Sequence, residues 1–237
     1  MPRQQTSLSS AIGRVADAAA VIPGIVLQGM FGAVGLVRPA PKPLHPSGRL
    51  RPARIRRFGL TGADRVGVPF IDEPGETYGL ARLSRATGLP TALPDIHGLA
   101  IRVDGPTTHD DRADILMATT GLGAVSRFVL RPSLGPAGVT YSTLLPYRTD
   151  GGPLLLAAIP DPRDPARMFL ACASLRGAWR VFADLTITES EVGATGDASI
   201  SFDPVVHQLV GLDYYSWATR LREGSYRAAR RTRGDAS

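Results

Sequence analysis

Cysteine is almost missing from this chain: Cys172 is the only one in 237 residues. A single thiol excludes a disulfide scaffold and any site built on paired Cys-x-x-Cys ligands. Histidine is nearly as scarce. His45, His97, His109 and His207 are the full set, which leaves little room for a multi-histidine metal centre. Lysine is scarcer still, with Lys42 alone among 27 basic residues. An Arg-heavy, Ala-heavy, Lys-poor chain reflects a GC-rich, bacterial type of genome, so the choice of Arg is not in itself a sign of phosphate binding. The chain also lacks a Walker loop, a dinucleotide fingerprint and a Gly-x-Ser-x-Gly elbow around Ser84, Ser126 or Ser174. Nucleotide-fold enzymes and serine hydrolases are disfavoured accordingly.

Glycine and proline, by contrast, are plentiful. The 26 Gly and 20 Pro residues favour short elements joined by many turns over a helical bundle. Hydrophobic residues at 43% and charged residues at 20% are ordinary for a globular domain with a sizeable core. The net charge of +6 gathers in two arginine clusters, Arg49 to Arg57 and Arg220 to Arg233. No aromatic interleaving accompanies either cluster, so no nucleic-acid partner is expected.

Ala18 to Val37 is a run of twenty uncharged residues, diluted by Pro23, Gln28 and four glycines. It is a poor signal peptide and a poor membrane span, and reads as an N-terminal helix docked on the body of the protein. A cytoplasmic location follows, with membrane contact through residues 18–37 as the less favoured alternative. Four prolines in residues 38–48 make a stiff connector. The chain therefore divides into an arm with its connector at 1–48 and one domain at 49–237.

From Arg49 the text reads as about ten short β segments. The expected strands are 54–60, 76–84, 98–103, 114–120, 125–131, 138–147, 152–160, 167–174, 179–187 and 198–203. Alternation is plain in Leu99, Ile101 and Val103, and in Val181, Ala183, Leu185 and Ile187. Such spacing predicts a mainly β fold, an antiparallel barrel. Residues 217–231 read as a basic C-terminal helix. His109, Asp110, Asp111 and Asp114 could be a metal-dependent phosphodiesterase fragment, but without a second histidine pair they read as a polar loop.

Residues 80–103, LARLSRATGLPTALPDIHGLAIRV, carry a more specific pattern. Arg82, Ser84, Gly88, Asp95, Gly98 and Ala100 resemble a signature of the catalase-like haem β-barrel superfamily. The segment Arg222-Glu-Gly-Ser225-Tyr226 is similar to the same family's Arg-x-x-Ser-Tyr. The first run also resembles short actinobacterial proteins described as phosphodiesterases.

The catalase resemblance implies haem as cofactor, with Tyr226 as axial metal ligand and Arg222 favouring its phenolate. It implies Arg49, Arg54 and Arg82 near the cofactor's carboxylates. Two departures stand out. Pro52 falls where the family has its distal histidine, and Thr119 where it has the distal asparagine. His97 stands where the family has an arginine, and reads either as a replacement acid/base or as a turn cap. Proline cannot shuttle a proton between peroxide oxygens. The expected activity is therefore haem binding with at most weak peroxidase or hydroperoxide chemistry, and no efficient catalase turnover. The alternatives are a cofactor-free barrel that binds a small apolar ligand or a partner, and a phosphodiesterase. A homo-oligomer is compatible with each.

Overall fold

A computed structural model describes residues 47–86, 90, 92–190, 192 and 200–218. Its frame is a set of antiparallel strands: β1 (Ser47–Arg57), β2 (Gly75–Arg85), β3 (His97–Asp104), β4 (Arg112–Thr119), β5 (Tyr141–Ser142), β6 (Tyr147–Thr149), β7 (Gly152–Asp161), β8 (Asp164–Ser174), β9 (Arg180–Ile187) and β10 (Asp213–Tyr214). Eight of them close a ring in the order β1-β2-β3-β4-β5-β7-β8-β9, with β9 returning to β1. Closure leaves the ring without free edges. The remaining pair, β6 and β10, forms a spur on β7, whose single edge takes β5 at Ala157–Ala158 and β6 at Gly152–Leu154.

Alternation explains which residues fill the ring. The register pairs Ile55 with Leu185, Ala81 with Ile101 and Ile101 with Ile115, so these side chains point the same way. With Leu99, Val103, Ala113, Met117, Leu156, Leu170, Cys172 and Ala183 they form one buried cluster. An eight-stranded barrel is just wide enough for side chains to fill. Each large aliphatic in it contributes about 1.5–3 kcal/mol through burial. Residues 58–73 fold back onto this core. There the short helix α1 (Pro69–Asp72) sets Phe70 edge-on against Phe182, with ring centroids 6.2 Å apart. The Asp72 carboxylate accepts from the backbone of Val66 and Gly67 and fixes the turn before α1.

Three sequence expectations need correction. Residues 125–131 form no strand, because Ser126–Phe128 is a 3₁₀ turn that buries Arg127. The segment 138–147 splits into β5 and the start of β6, since Leu144 sits at φ 60° and turns the chain between them. Residues 200–203, the described part of 198–203, form no strand. Of the expected C-terminal helix at 217–231, residues 217 and 218 are helical and the rest lies outside the described residues, as do residues 1–46 of the expected arm and connector, while Ser47 and Gly48 already belong to β1. No helix among the described residues is long and apolar enough to cross a membrane.

Candidate ligand-binding face

The outer face of β1–β4 is unusual in its small side chains. One cross-strand row reads Gly48, Ser84, Gly98, Ala118, and the next reads Leu50, Arg82, Ala100, Leu116. A row of glycine, serine and alanine lowers the sheet surface and leaves it nearly flat. Across it lies Arg82, only 9% exposed, whose guanidinium fills the space a side chain at Gly48 would take. A Cβ at Gly48 would stand 2.5 Å from Arg82 Cζ, so any larger residue there would push the guanidinium aside. Ser84 Oγ donates to the Gly98 carbonyl at 3.5 Å. The arrangement is a floor of small side chains beside a buried cation, with Leu50, Ser84 and Gly98 buried as well.

The residues singled out from the sequence do not all meet there. Pro52 belongs to this outer face, one row beyond Leu50. Thr119 belongs to the opposite face, which the register assigns to Leu99 and Met117 as well. Its hydroxyl accepts from the His97 backbone N–H at 3.2 Å. His97 is buried, and its Nε2 contacts the Ser133 carbonyl at 3.1 Å. The pair therefore braces the start of β3 and does not face Pro52. Arg54 shares the outer face but lies four residues along from Leu50, exposed and paired with Glu76. Arg49 is exposed and falls on the other face in register. Of the three arginines, only Arg82 touches the floor. Tyr226, Arg222 and Gly88 lie outside the described residues.

The acidic loop is equally clear. Asp114 is 3% exposed and holds Arg102 through two 2.7 Å bonds. It also accepts from the Asp203 backbone at 2.7 Å, while Arg102 donates to the Ser201 carbonyl and lies over the Phe202 ring. This clasp, which binds residues 201–203 to the sheet, is what Asp114 does. Asp111 occupies a turn at φ 57°. No group of three His, Cys, Asp or Glu side chains among the described residues could hold a metal ion. Burial pushes the Cys172 thiol up to about 11, leaving it a packing residue.

Sequence reasoning missed the clasp and the role of buried Arg127, which donates to the carbonyls of Leu122, Gly123, Ser174 and Gly177. Both depend on contacts between segments far apart in the chain. Arg102 and Asp114 did carry a signal, as charges at positions where strands are otherwise apolar.

No family model matches the chain, and no curated protein matches it in sequence. Comparison with solved structures finds a fungal catalase crystal structure at TM-score 0.60 and 12% identity, aligned over 88% of this chain and 62% of that one. The chain thus spans under two thirds of that catalase's length. In its closed eight-stranded antiparallel barrel, this protein is similar to the catalase fold.

Proposed function

We propose that this protein is a catalase-fold haem binder that holds the cofactor on the outer face of β1–β4 and does not disproportionate peroxide efficiently. The carrying observation is the small-residue floor with buried Arg82 at its edge. That floor lies on the same face as Pro52, the position where the resemblance would put a distal base. The residues fit the holding of a flat apolar group better than they fit chemistry on it. Gly98, Ala100 and Ala118 carry little or no side chain, and Arg82 would set a cation beside a carboxylate held there. Tyr226 would be the axial ligand, with Arg222 favouring its phenolate. Haem, when bound, supplies a redox-active iron. Around it, Pro52 has no proton to give or take, and His97 and Thr119 are engaged with each other on the other face. That combination supports retention without rapid turnover, with weak peroxidase or hydroperoxide activity as the remaining chemistry.

Titrating the purified full chain with haemin tests this reading. A saturable Soret band is expected, lost in Ala100→Phe, which fills the floor, and altered in its charge-transfer region in Tyr226→Phe. Failure of the unaltered protein to develop the band would overturn the proposal. The same floor would then be read as the site of another small apolar ligand.

A further inference from the structure

At the barrel end where β3 begins and β4 ends, two loops expose aliphatic side chains that a lone barrel has no reason to present. Val125 is 77% exposed, Leu134 67%, Val129 53% and Leu93 48%. Asp95 and Ser133 exchange backbone hydrogen bonds of 3.0 and 2.9 Å, tying the loop that carries Leu93 to the loop that carries Leu134. Thr120 bridges Leu130, and the Phe128 N–H donates to the Val125 carbonyl, so Val125 and Val129 share one tight turn at this end of the barrel. Nor is the patch loosely held, because Arg127 beneath it is 3% exposed and donates to the carbonyls of Leu122, Gly123, Ser174 and Gly177. Four exposed aliphatics on two loops tied together at one end of a barrel mark an interface.

We infer that the apolar run at residues 18–37 of this same chain docks on that patch. The connection is set by where the arm meets the barrel. Ser47 opens β1 opposite Arg85, and the Arg85 side chain donates to the Leu93 carbonyl at 2.9 Å. The arm therefore leaves the barrel next to the patch. Residues 38–46 separate it from Val37, and with four prolines they would reach about 28 Å if extended. A segment on so short a tether meets the patch at about millimolar effective concentration.

Chemistry matches too: the run holds no charge from Ala18 to Val37, and no acidic residue occurs between Ile115 and Thr149. A lipid surface fits less well. The exposed aromatic residues that would sit at a membrane interface, Phe58 and Tyr78, lie on the far end and the side wall of the barrel.

The test is photo-crosslinking of the full chain carrying benzoylphenylalanine at position 134, with position 78 as control. Expected are intramolecular crosslinks from position 134 to peptides within residues 18–37, and none from position 78. In parallel, the double variant Val129→Asp, Leu134→Asp should raise proteolysis within residues 18–37 about tenfold while the barrel's melting temperature stays unchanged. Crosslinks between two chains, crosslinks to lipid in vesicles of phosphatidylserine and phosphatidylcholine, or no crosslink to residues 18–37 would each overturn the inference.

Discussion

Arg127 donates from all three of its guanidinium nitrogens to four carbonyls and lies 4.8 Å from the Trp179 ring centre. A fork of fixed donors can serve so many acceptors, whereas an ammonium or a thioether cannot. Arg127→Met should therefore cost about 3 kcal/mol. Calorimetry should show this as a melting point lower by about 6–12 °C for a domain of this size.

Asp184 makes a different prediction. Burial pushes its carboxyl up, but hydrogen bonds from Arg167 at 2.8 Å and Arg56 at 2.9 Å outweigh burial and hold it below its ordinary value. A depressed carboxyl adds stability above its unfolded pKa of about 3.9 and loses it as pH falls through the folded value. The stability gap between the unaltered protein and Asp184→Asn should be constant from about pH 5 upward and shrink below about pH 4. Urea melts across that range would show it, and a gap that widened in acid would refute the assignment. Neither residue's role could be read from the sequence, since each depends on partners tens of residues away.

At the scale of elements, the long strands were legible and the short ones were not. β3 announces itself by the alternation of Leu99, Ile101 and Val103, whereas β9 keeps that pattern only from Ala183 on, since Val181 is exposed and Phe182 and Asp184 on the other face are buried too. β5, β6 and β10 have two or three residues each, too few for any period to register. Tight ladder packing appears at Gly79, where β2 runs between β1 and β3. A Cβ there would collide with the backbone carbonyl of Arg102. Since backbone cannot rotate away as a side chain can, Gly79→Ala should destabilise by about 2 kcal/mol or more. Denaturation midpoints compared with a control alanine at Gly135, where a Cβ meets nothing, provide the measurement.

For the whole molecule, the catalase-like barrel and the proposed haem site carry a joint expectation. With haem supplied, oxygen release from hydrogen peroxide should stay near the level of free haem, because Pro52 occupies the outer-face position and His97 is turned away from it. An oxygen electrode decides the matter. Fast turnover would mean that a residue other than Pro52, Thr119 or His97 supplies the base.

What the sequence determined by itself is the barrel: turn-rich spacing, alternating strands and a single thiol leave few other ways to bury this much apolar surface. The run from Arg82 to Ala100 pointed to the same fold before any strand was paired. Only the tertiary structure decided which face each side chain serves. Pro52 and Thr119 look like a matched pair in the text, but strand register sends them to opposite sides of the sheet. Asp114 reads as part of a polar loop and is a buried clasp on Arg102. Register is a property of several strands at once, and a shift of one residue reverses every side chain, so no local pattern could have settled it.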